Sequence, residues 1–364
     1  MTHVAADGRV RSVDLLRGIA ALVVLVWHFQ SYFNANPYGV LFAPFYQNGQ
    51  VAVDIFFVIS GFILMYVYHG KLQNLADLKL FVIKRLGRLY PLHLVTLVVV
   101  ALIFGIFAIR GDGYGFVYSA NDFFHFLLNL FLLQFVGLQK GFSFNAPSWT
   151  ISGEFWINIL FALVLLTTRR VLWIAGAIVV CSSAVLIAHG EWLSFRRIGP
   201  VEPLLIRTAA GFFAGVVTYF VCRATRNISA GVGAAALVTG GILATGLMLY
   251  PRSGPHLVLV EAAITLVCAP LLVFGCVNSK LMERLGRSSV GALIGDLSYS
   301  IYMWHFPVAA ILVLCGATAL DARILFYLYL AIVVVVAWVS FRFIEGPARI
   351  WIVSRSSQRV LRAV

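Results

Sequence analysis

The chain has 364 residues, of which 61% are apolar and 11% are charged. Soluble globular proteins contain about 45–50% apolar and about 25% charged residues, so this chain has too few polar residues to cover a water-soluble globule. The 31 Gly and 11 Pro residues follow no period, which excludes a collagen-like chain. The composition therefore predicts a polytopic membrane protein and excludes a soluble enzyme.

Ten stretches are long and apolar enough to cross a membrane as helices, which takes about 20 residues each. They cover residues 15–33, 50–69, 90–109, 150–168, 171–189, 204–222, 230–250, 257–277, 296–316 and 322–341. Alternation of apolar and polar residues with a period of two is missing, so an all-α membrane protein is predicted and a β-barrel is not. An eleventh candidate, 122–138, is short and contains Asp122, His125, Asn129 and Gln134.

The basic residues predict the orientation of the helices, because cytoplasmic loops carry an excess of Lys and Arg. If 122–138 does not cross and the N-terminus is cytoplasmic, 20 of the 27 basic residues lie on the cytoplasmic side. If the segment crosses, the division becomes 14 against 13. The first arrangement is favoured: about ten crossings, both termini cytoplasmic, and 122–138 re-entrant or lying at the outer interface.

We expect residues 1–364 to form a single transmembrane domain, with cytoplasmic tails at 1–14 and 342–364 on either side of a helix bundle at 15–341. Segment 71–89 has the spacing of an interfacial helix that contacts anionic headgroups. Cytoplasmic loops explain the net charge of +13, so membrane lipids are expected partners and nucleic acids are not. The five cysteines form no CxxC motif and have no histidine at ligand spacing, so no metal site is predicted.

Ionisable residues within membrane-spanning segments are costly and are candidates for function. The first predicted helix carries Asp14 and Arg17 at its cytoplasmic end and His28 deeper in the membrane. Arg17 and His28 are eleven residues apart, so they share one helix face about 16 Å apart. This spacing suits a long ligand held by charge at the inner surface with its far end at the imidazole.

Further polar residues lie in the second, fourth and ninth predicted helices: Asp54, Ser60, Trp149, Glu154, Tyr299, Tyr302 and His305. We expect His28, Asp54, Glu154 and His305 in the middle or outer half of the membrane. A neutral imidazole can act as a base near neutral pH, and a carboxylate can orient it. Arginines at the inner face suit phosphates, which they bind bidentately. A proton-coupled transporter could use the same groups, so these residues alone leave both classes open.

Six sequence blocks, in order from about residue 12 to 349, resemble the acyltransferase-3 family of integral-membrane O-acyltransferases. The blocks are VDLLRGIAALVVLVWHF, VAVDIFFVISGFI, VIKRLGRLYPLHL, SWTISGEFW, GDLSYSIYMWHFP and FIEGPAR. The matching positions include Arg17, His28, Asp54, Ser60, Arg85, Arg88, Trp149, Glu154, Ser298, Tyr299, Tyr302, His305 and Glu345. The resemblance covers nearly the whole chain.

The resemblance implies transfer of an acyl group, usually acetyl, from cytoplasmic acyl-CoA to a hydroxyl of an extracytoplasmic or lipid-linked glycan. It implies acetyl-CoA or another acyl-CoA as co-substrate, no metal, and a bacterial inner membrane as the setting. The alternatives are a proton-coupled transporter or flippase of glycan or lipid intermediates, and an inactive scaffold.

In the mechanism that we derive from this resemblance, Arg17, Arg85 and Arg88 hold the CoA phosphates. His28, oriented by Glu154, removes the hydroxyl proton of the acceptor. The supporting pocket comprises Asp14, Asp54, Ser60, Trp149, Tyr299, Tyr302 and His305, of which Ser60, Trp149 or Tyr302 could stabilise the oxyanion. An acyl-enzyme on His28 fits as well as direct transfer.

Overall fold

The computed structural model describes residues 9–111, 120–139, 141–193, 196–199, 201–225 and 228–361. Within these ranges, an isolated bridge between Ile198 and Val201 is the sole β structure, and all other regular elements are helical. Ten helical segments of the described chain are long and apolar enough to cross a membrane. The predicted all-α bundle of about ten spans is confirmed. The ends of the two predicted tails, 1–8 and 362–364, lie outside the described residues.

The α-helices, numbered in chain order, are α1 (Arg11–Phe33), α2 (Gly39–Asn48), α3 (Ala52–Tyr68), α4 (Leu75–Arg110), α5 (Phe123–Leu130), α6 (Trp149–Thr167), α7 (Val171–His189), α8 (Pro203–Ala224), α9 (Ala230–Met248), α10 (Leu257–Ala263), α11 (Ala269–Asn278), α12 (Lys280–Arg287), α13 (Ser289–Leu314), α14 (Ala322–Ser340) and α15 (Gly346–Leu361). Two π-helical turns, Ile264–Cys268 and Phe341–Glu345, join α10 to α11 and α14 to α15. Such turns add a residue to a helical turn and so rotate the side chains that follow.

Two helix pairs form the centre of the bundle: α1 packs along α13, and α3 packs along α8. The second pair is close because each helix presents a glycine to the other's backbone. A Cβ atom on Gly61 would lie 1.8 Å from the carbonyl oxygen of Phe212, and one on Gly215 would lie 2.0 Å from that of Val58. Close approach of this kind is how membrane helices gain packing energy.

We therefore expect Gly61→Ala to destabilise the protein by about 1–3 kcal/mol, because the methyl group forces α3 and α8 apart. The measurement is the thermal unfolding midpoint of the protein purified in detergent. Gly241→Ala on α9 is the matched control, since a Cβ there meets nothing within 4 Å. Equal midpoints for the two variants would contradict this account of the helix crossing.

Helix α4 differs from the prediction of a separate interfacial helix at 71–89. The structure forms one continuous helix of 36 residues, whose first turn is capped by the Asn74 side chain accepting from the Asp77 amide. Its length of about 54 Å exceeds the hydrocarbon thickness of about 30 Å. Arg85 and Arg88 therefore lie on the same rigid helix as the following span.

The segment 122–138 does not form a spanning helix. Its helical part, α5, has eight residues and is about 12 Å long, which is too short to cross a membrane. The hydroxyl of Tyr90 donates to the Leu130 carbonyl at 2.9 Å, and His93 Nε2 lies 2.8 Å from the Asn129 carbonyl. Both α4 residues are about 25–30 Å along the helix from Arg110. The segment thus enters the bundle, as the re-entrant prediction requires.

Candidate active site

A cavity lies between α1, α3, α4, α6 and α13. Seven of the predicted site residues line it: Arg17, Ser60, Arg85, Arg88, Glu154, Tyr299 and Tyr302. Apolar side chains of α3 form much of the remaining wall, including Val53, Phe56, Phe57, Ile59, Ile63 and Leu64. Polar residues far apart in the sequence therefore meet around a single apolar-walled space.

Arg85 and Glu154 form an ion pair across the cavity, between α4 and α6. The same carboxylate oxygen of Glu154 accepts a hydrogen bond of 2.7 Å from the Ser60 hydroxyl. The contacts do not support the prediction that Glu154 orients His28, because this carboxylate binds a guanidinium and a hydroxyl instead.

The position of α6 explains the difference. Thr150, in its first turn, donates to the Tyr302 hydroxyl at 3.1 Å, and Tyr302 lies in the middle of α13. Since α6 begins beside the middle of α13, Glu154 lies one turn further along α6 than that level, where it meets Arg85 and Ser60. The sequence does not contain this depth, because it depends on how the re-entrant segment before α6 folds.

Arg17 and Arg88 are held by polar groups near one end of the cavity. Arg17 Nε donates to the Ser298 hydroxyl at 2.8 Å, and its Nη2 lies 3.2 Å from the Asp14 carboxylate. Arg88 Nη1 lies 3.8 Å from Glu345, and the guanidinium stands 5.5 Å from the centre of the Tyr299 ring. Three guanidiniums thus contribute to one wall, as predicted from the sequence.

Glu345 contacts a residue of this site, although it was not among the residues predicted to form it. It is buried, approaches Arg88, and accepts a hydrogen bond from Ser300 on α13. The π-helical turn at Phe341–Glu345 gives the residue this orientation. The signal available in the sequence was its place in the FIEGPAR block.

His28 and His305 face each other, with ring centres 4.5 Å apart. Nδ1 of His28 lies 3.1 Å from the Val24 carbonyl oxygen, and Nδ1 of His305 contacts the Tyr302 carbonyl. A carbonyl oxygen only accepts, so each Nδ1 carries a proton when the ring is neutral. In this tautomer each Nε2 carries a lone pair, so this nitrogen can accept a proton.

Tyr302 connects the histidine pair to the cavity. Its ring lines the cavity and stands 5.5 Å from the His305 ring, while its hydroxyl donates to the Pro147 carbonyl at 3.0 Å. One end of the cavity is therefore lined by the arginines, and Tyr302 borders the imidazoles.

Asp54 and Trp149 are placed beside the cavity rather than in its lining. Both oxygens of Asp54 accept from Arg207, at 2.9 and 2.8 Å, and the two side chains are 0% and 1% exposed. The guanidinium of Arg207 also stands 5.9 Å from the Trp149 ring. Arg207 was not among the residues predicted to form the site. The available signal was its position inside a predicted span.

Among the described residues, no group of three or more His, Cys, Asp or Glu side chains is arranged to hold a metal ion. The five cysteines are free; Cys222, Cys268 and Cys276 are buried, and Cys181 and Cys315 are exposed.

A family model described as an acyltransferase domain matches residues 10–342. The chain belongs to the acyltransferase-3 family. Its ten apolar helices and this membership together make it an integral membrane protein of an acyltransferase family. Five of the six sequence blocks that carried the resemblance lie within the matched range, and the sixth, FIEGPAR, begins at Phe343, directly after it.

Several curated proteins are similar to the chain. Acyltransferase MdmB of Streptomyces mycarofaciens is 27% identical over 320 residues, which is 82% of this chain and 79% of that protein. Exopolysaccharide production protein ExoZ of Rhizobium meliloti is 26% identical, over 71% of this chain and 75% of ExoZ. Peptidoglycan O-acetyltransferase OatA of Listeria monocytogenes is 25% identical, over 93% of this chain but 56% of OatA. No solved structure is significantly similar.

Proposed function

We propose that the protein is a membrane O-acyltransferase that transfers an acyl group, most simply acetyl, from cytoplasmic acyl-CoA to a hydroxyl of an extracytoplasmic or lipid-linked glycan. The observation that carries the proposal is the cavity with three arginines in its wall and Tyr302 beside a pair of imidazoles. The names of OatA and ExoZ, an O-acetyltransferase of peptidoglycan and a protein of exopolysaccharide production, support a glycan acceptor. We place the protein in a bacterial inner membrane with its N-terminus in the cytoplasm.

The donor site in this proposal is the wall that carries Arg17, Arg85 and Arg88. Guanidinium groups bind phosphate oxygens through paired, charge-assisted hydrogen bonds, so together they suit the phosphates of CoA. The apolar face of α3 then accommodates the pantetheine arm, which brings the thioester past Tyr302 to the histidines. Glu154 and Ser60 act as positioning residues, because their bonds hold Arg85 in the wall.

The chemical step uses the free lone pair of His28 Nε2. It takes the proton of the acceptor hydroxyl, the resulting oxygen nucleophile attacks the thioester carbonyl, and the C–S bond breaks. The thiolate of CoA then receives the proton from the imidazolium, so that the base is regenerated. In the alternative route, Nε2 attacks the thioester first and the C–S bond breaks to release the CoA thiolate. The acyl-imidazole then passes the acyl group to the acceptor hydroxyl, whose proton goes to the thiolate.

Replacing Arg85 or Arg88 with glutamine is expected to weaken acetyl-CoA binding about tenfold to a hundredfold, since hydrogen bonds to charged groups contribute about 1.5–3 kcal/mol each. The measurement is stabilisation of the purified protein by acetyl-CoA in a thermal-shift titration at low and high salt. Binding by the unaltered protein should weaken with salt, because salt screens the interaction of arginines with phosphates.

The matched control is Arg223→Gln, which removes an exposed arginine that contacts His69 outside the cavity. Its acetyl-CoA affinity should equal that of the unaltered protein. If acetyl-CoA fails to stabilise the unaltered protein, the proposal that the arginines bind acetyl-CoA is wrong. Transport of a glycan or lipid intermediate that depends on a proton gradient would then favour the alternative of a proton-coupled transporter.

A further inference from the structure

Hydrogen bonds link residues 134–148 to the middle of α13, through Asn145 to Met303 and through Tyr302 to Pro147, while Gln134 bonds to Ser148. Gln134 Oε1, Asn145 Oδ1, Ser148 Oγ and His305 Nε2 have no hydrogen-bond partner among the described residues. The four side chains are at most 2% exposed. Buried polar groups in native proteins are nearly always hydrogen-bonded, so a cluster of exceptions indicates a ligand site.

The orientation of the two amides is determined by their partners. Gln134 Nε2 donates to the Ser148 carbonyl at 3.2 Å, and Asn145 Nδ2 donates to the Met303 carbonyl at 3.1 Å. Rotating either amide by 180° would bring oxygen against oxygen, so the free atom is the carbonyl oxygen in both. In His305 the Tyr302 carbonyl likewise leaves Nε2 as the free atom. Three of the four free atoms are therefore hydrogen-bond acceptors, and the Ser148 hydroxyl can be either.

The chemistry of this set selects its ligand. Acceptors need donors, and the thioester group presented at the histidines donates nothing, so the acyl group itself does not satisfy them. Sugar hydroxyls donate and also accept, and Trp304 on the same turn of α13 supplies a free indole N–H to which a hydroxyl oxygen can bond. Because the site neighbours His28, a hydroxyl bound there lies beside the proposed base.

We infer that Gln134, Asn145, Ser148 and His305 form the binding site for the hydroxyl groups of the acceptor glycan. This inference rests on the proposed function and deepens it, because it assigns acceptor recognition to residues 134–148 together with α13. A site built to hydrogen-bond substrate hydroxyls discriminates strongly, since an incorrect ligand leaves its polar atoms buried without partners.

Ser148→Ala tests the site with little risk to folding. It removes a hydroxyl that has no partner among the described residues, and the Ser148 carbonyl can still accept from Gln134. Removing an unpaired buried group does not destabilise, so the thermal midpoint should hold or rise. The assay follows labelled acetyl groups from acetyl-CoA into the glycan of washed membranes, taken from the producing organism lacking its own copy. We expect the half-saturating amount of membranes to rise about threefold to tenfold, with unchanged acetyl-CoA affinity.

Ser183→Ala on α7 is the matched control, because it also removes a buried hydroxyl without a partner in the described chain, but outside this cluster. The amount of membranes that half-saturates Ser183→Ala should equal the amount that half-saturates the unaltered protein. Gln134→Met and Asn145→Leu should raise half-saturation about tenfold, again with intact donor binding.

Unchanged half-saturation in all three site variants would overturn the acceptor site and leave the donor assignment standing. Failure of the unaltered protein to bind or use acetyl-CoA would overturn the proposed function, and this inference with it. The two failures are distinguishable because the first concerns the acceptor titration and the second the donor.

Discussion

Replacing His28 with alanine is expected to reduce acyl transfer about a thousandfold or more, while acetyl-CoA binding stays within about twofold of that of the unaltered protein. The reason is that the Nε2 of this imidazole removes the acceptor proton in the proposed step, whereas the arginines proposed to bind the donor line the cavity and His28 does not. Transfer is measured as label incorporated into glycan, and binding as thermal stabilisation by acetyl-CoA.

His69→Ala is the control, since this exposed histidine follows α3 and contacts Arg223 rather than the cavity. It should transfer acyl groups at the normal rate. A His28→Ala protein that is folded and fully active would exclude His28 as base and as nucleophile. If His28→Ala is instead inactive, rapid quenching of the unaltered enzyme without acceptor separates the two routes, because only the acyl-imidazole route accumulates labelled protein.

The second large effect concerns the buried ion pair of Asp54 and Arg207. Arg207→Met should destabilise the protein by about 3–5 kcal/mol, because it leaves the Asp54 carboxylate buried without its partner. A double variant with Asp54→Leu should recover most of that loss, since both charges are then absent. The measurement is the unfolding midpoint of each purified protein.

Arg287→Ala serves as the comparison, since it breaks an ion pair with Glu283 in which Arg287 is 50% exposed. Exposed pairs contribute about 1 kcal/mol or less. If the double variant were as unstable as Arg207→Met, the pair would matter through its contacts, including the approach of Arg207 to Trp149, rather than through charge.

Asp54 shows why a polar residue inside a predicted span need not line the cavity. A carboxylate inside a predicted span is costly, so it was a sound candidate for function. In the structure Arg207 pairs with this carboxylate, and the pairing depends on how α3 packs against α8. The carboxylate of Glu154 was misplaced for a related reason, because its depth follows from the re-entrant segment.

Properties that depend on the local chain were determined by the sequence alone. The number of spans follows from apolar length, and the shared face of Arg17 and His28 follows from the period of a helix. The clustering of arginines was likewise predictable, because Arg85 and Arg88 are three residues apart on one helix. These are consequences of covalent geometry and of the bilayer as solvent.

The tertiary structure alone decided which distant groups meet. It joined His28 to His305, Glu154 to Arg85 and Asp54 to Arg207, and it carried 122–138 into the bundle, while Asn145, which follows that segment, contacts Met303 on α13. Such contacts depend on helix rotation, depth and crossing, which are set by packing across the whole bundle. A periodic pattern within one segment specifies which face is polar, but it does not specify which helix that face will contact.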